Sequence, residues 1–443
     1  MNSYTLITKK LPALWLPALI CLCNPAAAQF PGSSKIDVIL SSAAEETGPC
    51  DLMVIKDGAV VYNRSFGERQ QGSANKVRIA SASKWLAAAT LLTLVDEGLL
   101  KLDEPIGKFL PKFKDEKEKI TLRQLLSHTS GLPASSSYIK DKSMSLAQSV
   151  DSIAARVSLV AEPGTQFIYG GVSYQVAARL AEVASGKDWE TLFMEKIGAP
   201  CKMVHTDFGN QRSKNIGDGA YSNTDDYSNF LVMILNKGIF QGVRALSANS
   251  VYEMVSDQTA SLPSGYTPYR FMSAKSSGFY GLGVWLDRIM VSDSAATEVS
   301  SQGAKGFTPW VNFCKHLAGV YSFYADLNDV VPVILESKAI IDNAFKDNCN
   351  DVSAERGQKE DDRTPSDAVT HQTSIYFKLD SDALVTLKLI DPLGNEILVL
   401  VNDSMKAGEY TIPVDASKLN PGIYFYRLNV NDRSETKKLT VKK

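Results

Sequence analysis

The chain has 443 residues, a formal net charge of −2, and 44% hydrophobic and 22% charged residues. That length allows two or three domains of roughly 100–200 residues each, and the composition is that of a globular chain. The near-neutral balance excludes the basic footprint of a nucleic-acid binder. The scattered histidines His128, His205, His316 and His371 form no H-E-x-x-H or Cys/His cluster, so neither a metal nor a cofactor is expected.

At the N-terminus, Lys9 and Lys10 precede "LPALWLPALICLC" and then "NPAAAQF". A basic region, an apolar region and an A-x-A site predict a signal peptide over residues 1–28, cut after Ala28. Prolines and Asn24 interrupt the apolar run, so no permanent membrane span is expected. Cys21 and Cys23 leave with that segment. Cys50, Cys201, Cys314 and Cys349 remain; they are too widely spaced for a dense disulfide framework, and their pairing is open.

From 33 to 345 the chain mixes helix and strand signals. "DLMVIKDGAVVYNRSFG" alternates around Asp57–Gly58, which predicts a hairpin. "SASKWLAAATLLTLVDEGLL", "TLRQLLSH" and "SYQVAARLAEVASG" read as helices, the last stopping at Gly186. "YGLGVWLDR" and "FTPWVNFCKHLAGVYSFYAD" read as strands. A hairpin first, helices in the middle and strands last predict an α+β domain whose terminal strands share one sheet. Residues 346–369, "KDNCNDVSAERGQKEDDRTPSDAV", are polar and charged and read as a linker. Residues 370–443 carry six short strand patterns between turn signals at Pro392–Gly394, Lys406–Gly408, Pro421–Gly422 and Asn431–Asp432. That spacing predicts a small all-β sandwich domain.

The chemistry centres on "IASASKWLAAAT", residues 79–90. Ser-x-x-Lys occurs four times, at Ser73, Ser81, Ser137 and Ser434, but only at Ser81 does it open a long apolar helix. Three residues apart on a helix, Ser81 and Lys84 share one face. The helix N-terminus contributes roughly half a positive charge and unsatisfied N–H groups. Both favour a serine alkoxide and a neutral lysine amine. The competing reading is a capping serine and a lysine that snorkels to water.

Further motifs follow in order: "ITLRQLLSHTSGLP", "EPGTQFIYGGVSYQVAARLAEVASGK", "GDGAYSNTDDYSNFLVMILNKGIFQGVRALS", "YGLGVWLD" and "SSQGAKGFTPWV". In this order they resemble the serine β-lactamase and penicillin-binding-protein superfamily, on its class C β-lactamase, DD-peptidase and esterase branch. The resemblance spans about Ile36–Phe345. It implies an antiparallel sheet with helices on both faces plus an all-helical region. It also implies Ser81 as the acylated nucleophile, Lys84 as its proton partner and Tyr169 as a proton shuttle to the leaving group. The family's strand motif, Lys-Thr-Gly or His-x-Gly on an edge strand, falls at Ser301-Gln302-Gly303, and its oxyanion hole at the N–H groups of Ser81 and Ala304. Such donors are worth about 3–4 kcal/mol each in the transition state.

Two positions depart from the family. Gly171 stands where it has the asparagine of Tyr-x-Asn, and Ser301 where it has a lysine or histidine. Lys305 lies two inward strand positions beyond Ser301, roughly 13 Å away, and reads as solvated. The acylation parts are therefore expected without the groups that position a β-lactam or D-Ala-D-Ala. This points to a small-molecule ester substrate. A β-lactamase or D-Ala-D-Ala carboxypeptidase, and a non-catalytic binding protein that keeps the fold, stay open.

The tail, "LIDPLGNEILVL" through "PGIYFYRL" to "KKLTVKK", resembles a type IX secretion sorting domain. With the signal peptide, it implies export through the periplasm to the medium or cell surface, with the secretion machinery as partner.

Overall fold

The structure, a computed structural model, describes residues 30–68, 76–209, 212, 214–259, 262, 264–266, 280–289, 295–347, 349, 372–379, 381–390, 396–415, 419, 422–431 and 433–441. The expected signal peptide and nearly all of the expected linker lie outside these residues.

Alternating apolar residues flank the Asp57–Gly58 turn, and they fold as a hairpin of β1 (Cys50–Lys56) and β2 (Ala59–Phe66). The later strands are β3 (Trp285–Ile289), β4 (Ala296–Ser300), β5 (Phe307–Asn312) and β6 (Leu317–Phe323). They join the hairpin in one antiparallel sheet of order β2-β1-β6-β5-β4-β3. The expectation that the two ends of the domain share one sheet holds.

Side chains of a strand alternate between its faces, and here both faces are covered. Leu52 and Val54 point into one core with Tyr321 and Phe323, closed by α1 (Ser33–Thr47) and a C-terminal helix at Leu327–Ala344 that packs on α1. Met53 and Ile55 point into the other core, which holds α2 (Ser83–Asp96) and the helical region. Every residue of α2 from Ser83 to Leu94 is buried. A helix apolar all round belongs inside a fold, and α2 is the central helix of the larger core. Within the helical region lie α3 (Leu122–Leu126), opened by a Thr121–Gln124 capping box, and α4 (Val172–Ser185), closed by Gly186 at φ +71°. The stop at Gly186 is the expected one, whereas the first helix ends at Leu126, two residues short of the His128 to which its pattern ran, and its capping box was not anticipated.

Cys314, in the β5–β6 turn, is disulfide-bonded to Cys349. Cys50 and Cys201 are buried and not disulfide-bonded.

The six expected tail strands form at 372–379, 383–390, 396–405, 408–415, 422–430 and 433–441. They make a two-stranded and a four-stranded antiparallel sheet around a shared core that includes Ile375, Leu387, Val414 and Leu439. Among the described residues, no helix is long and apolar enough to cross a membrane.

Candidate active site

Ser81 does not sit in the first turn of α2, as the spacing suggests. It lies in a 3₁₀ turn, Ala80–Ala82, that feeds into the helix. Ala80 takes φ +46°, a left-handed conformation that costs a non-glycine residue free energy and persists only where the surroundings enforce it. The enforcing contacts are visible. Ser83 Oγ donates to Ala80 O at 2.6 Å and accepts the Ala220 N–H at 3.0 Å. Tyr227 OH donates to Ala82 O at 2.8 Å. Neither serine caps the helix through its side chain, so the capping reading fails.

The snorkelling reading fails as well. Lys84 is 2% exposed. Its Nζ lies 3.0 Å from Ser81 Oγ and 2.8 Å from the carbonyl of Gly217. Burial pulls the ammonium down to about 8 from an ordinary 10.5, against the opposing pull of the Asp218 carboxylate. A buried amine that loses its proton near neutral pH, beside a hydroxyl, has the geometry of a general base.

Tyr169 is brought to the same place by the segment before α4. Lys84 Nζ stands 4.7 Å from its ring centroid. Trp285 stacks on the ring at 5.1 Å, and Tyr280 and the His128 imidazole pack around it. His128 is buried at φ +61° and its Nδ1 accepts the Gly170 N–H at 3.3 Å. Burial first, then the Lys84 charge, hold this imidazole well below its ordinary value. It is therefore a neutral platform that fixes the Tyr169-Gly170 backbone. Gly170 is required there, since a Cβ would lie 2.1 Å from Ala134 O.

The segment Ser301-Gln302-Gly303-Ala304 is not on an edge strand. It leaves the end of β4, next to the edge strand β3, and turns into β5. Ser301 N–H donates to Pro309 O and Gly303 N–H to Phe307 O. Gly303 lies so close to the 3₁₀ turn that a Cβ would meet Ile79 O at 2.1 Å. Ala304 follows Gly303 in the chain, and its carbonyl accepts the Leu327 N–H at 3.0 Å. Neither the Ser81 nor the Ala304 N–H finds a backbone acceptor among the described residues. Ser301 is 2% exposed, and its hydroxyl donates to Gly283 O at 3.3 Å. Lys305 sits in the turn rather than on a strand, exposed and 2.6 Å from Asp326, in keeping with its reading as a solvated side chain.

Gly171 stands at the start of α4, and its N–H is taken by Ala134 O at 2.9 Å. A side chain there would approach Ile139 Cδ1 and Asn215 Oδ1. Sequence reasoning did not single out the contributions of Gly217, Asn215 and Trp285. Gly217 acts through a backbone carbonyl 133 residues from Lys84, which no local pattern announces. The Gly-Asp-Gly run at 217–219 was the one available signal of a tight turn.

Residues 43–321 match the family described as Beta-lactamase, and residues 369–442 match the Secretion system C-terminal sorting domain. A crystal structure of a candidate beta-lactamase from Bacteroides dorei DSM 17855 is 31% identical. It covers 70% of this chain and 98% of its own, with a TM-score of 0.63. Protein flp of Staphylococcus aureus strain MRSA252 is 26% identical over 180 residues, 38% of this chain. Acyltransferase mokF of Monascus pilosus is 29% identical over 214 residues, 39% of this chain. The chain spans only 36% and 51% of the lengths of these last two proteins.

Proposed function

The chain belongs to the beta-lactamase family, and from that membership we propose that it is a secreted serine hydrolase that passes the acyl group of an ester through Ser81 to water. The observation that carries this reading is the 3.0 Å contact between buried Lys84 Nζ and Ser81 Oγ. In the first step Ser81 Oγ attacks the ester carbonyl carbon and its proton passes to Lys84 Nζ. The N–H groups of Ser81 and Ala304 receive the negative charge that develops on the carbonyl oxygen. Collapse breaks the C–O bond to the alcohol, which leaves with a proton relayed from Lys84 by Tyr169. Water then attacks the acyl-Ser81 carbonyl and gives its proton to Lys84 by way of Tyr169; the C–O bond to Ser81 breaks, Lys84 returns the proton to Ser81 Oγ, and the acid departs. A neutral, activity-based fluorophosphonate tests the reading: one adduct on Ser81 supports it, and no adduct on active-site serine would make this a binding protein.

Substrate choice follows from what stands at positions 171 and 301. A site built to hold a charged or amide-bearing substrate loses several kcal/mol when its partner groups are missing. Gly171 offers no side chain, and the Ser301 hydroxyl is buried and bonded to Gly283. Esters need less leaving-group protonation than amides. Short acyl esters are therefore expected to turn over with kcat/KM at least about 100-fold above penicillins and D-Ala-D-Ala peptides, equivalent to about 2.7 kcal/mol in the transition state. A penicillin that matches the best ester in this comparison would restore the antibiotic-hydrolase alternative.

For the tail, the proposal is export by type IX secretion, with the N-terminal segment directing entry into the periplasm. The match over residues 369–442 supports it. Deleting residues 370–443 is expected to leave hydrolysis intact while the protein accumulates in the periplasm. Fractionation showing normal release of the truncated protein would remove the sorting role.

A further inference from the structure

A cavity of about 610 Å³ is lined by Arg78, three residues before Ser81, and by Gly219, two residues after the Gly217 that holds Lys84. Four of its lining side chains are cationic: Lys76, Arg78, Lys140 and Lys142. Lys76 pairs with Asp207, and Arg78 Nη2 lies 2.6 Å from Asp218 Oδ2. Four cations against these two carboxylates leave a surplus of two positive charges. The surplus has an address. Lys140 and Lys142 are exposed and have no carboxylate partner among the described residues. Asp141, between them in the chain, pairs with neither, and its carboxylate accepts the Ser143 N–H and hydroxyl at 2.9 and 2.6 Å.

The cavity is joined to the site by two side chains. Ile139, buried between the cationic segment and the site, places its Cδ1 3.1 Å from where a Gly171 Cβ would be. Asn215 lines the cavity too, and its Oδ1 lies 3.8 Å from the same point, shut off from solvent and without a hydrogen-bond partner. Two residues further on, Gly217 holds Lys84 Nζ. Ile139 and Asn215 thus connect the cavity with its two uncompensated lysines to the Gly171 end of the site.

We propose that this cavity is a substrate subsite for a carboxylate-bearing ester, with Lys140 and Lys142 as the groups that select the anion. The proposal rests on Ser81 being the reacting centre, so its test reads binding rather than turnover. Full-length protein carrying Ser81→Ala is titrated calorimetrically with two charged esters, monoethyl glutarate (carboxylate on the acyl side) and butyryl glycolate (carboxylate on the alcohol side). Each is compared with its neutral methyl ester. At least one charged probe is expected to bind about tenfold tighter than its neutral partner, the scale set by two partly solvated charge contacts. That preference should fade at 1 M salt, where the screening length is about 3 Å. It should vanish in Lys140→Glu with Lys142→Glu, and fall part-way in the milder Lys140→Gln with Lys142→Gln. Equal binding of charged and neutral probes, or a preference that survives the charge reversal, would overturn the subsite. Fluorophosphonate labelling of the wild-type chain is a separate readout, so loss of the hydrolase reading and loss of the subsite are told apart.

Discussion

Replacing Ser81 by alanine is expected to abolish fluorophosphonate labelling and to lower ester hydrolysis at least about 10⁴-fold, with the fold intact. The size follows from covalent catalysis: without a nucleophile the split into two easier steps is lost, and only binding and oxyanion stabilisation remain. The fold should tolerate the change. Ser81 Oγ makes no helix cap, and the contacts that hold the strained Ala80 backbone come from Ser83 and Tyr227. The control is therefore Ser83→Ala. It leaves the nucleophile in place but removes two hydrogen bonds that hold the turn, and it should lower stability as well as rate. Mass spectrometry of the labelled wild type that places the adduct on Ser73, Ser137 or another serine would defeat the assignment. So would an alanine variant at position 81 that retains more than a hundredth of the wild-type rate.

Much of this arrangement could be read from the chain before any coordinates. Turn chemistry is local, so the Asp57–Gly58 hairpin, the stop at Gly186 and the six tail strands follow from residues a few positions apart. The Ser81–Lys84 contact is equally local, three residues along the chain. What could not be read is non-local. The 3₁₀ turn under Ser81 is imposed by Ala220 and Tyr227, 137 and 145 residues away from their partners. Propensity favours a plain helix start, and tertiary hydrogen bonds override it. The Cys314–Cys349 bond was one of several possible pairings, and spacing alone does not choose among them. The strand motif at 301–303 was expected at a sheet edge. Strand order is set by which faces must be covered, and that places β3 outside β4.

Replacing Lys84 by methionine separates the base from the packing, and it should change rate and stability in opposite directions. Methionine keeps much of the stem's volume and loses the amine. With no acceptor for the Ser81 proton, acylation is expected to fall about 10³-fold, within the range for general-base catalysis. The wild-type pH profile should show the same group. Lys84 loses its proton near 8, so kcat/KM should climb with pH up to about 8 and level off above it. The variant should lose that limb.

Stability follows the opposite logic. Below about 8 both the folded and unfolded chains carry the charged lysine, and the folded protein bears the full cost of burying it. Between about 8 and 10.5 the unfolded chain holds a proton that the folded chain has released, so stability rises with pH across that window. The shift of 2.5 units, 10.5 less 8, corresponds to roughly 3 kcal/mol of burial cost. Removing the amine also leaves the Gly217 carbonyl without its donor, a loss of about 1 kcal/mol. The methionine variant should therefore be more stable than wild type by about 2 kcal/mol at pH 7 in urea denaturation, and that advantage should be gone by pH 11. A variant that is less stable at pH 7 would show that Lys84 is held as a structural cation. A variant within threefold of the wild-type rate would place the base elsewhere, with Tyr169 the first residue to change next.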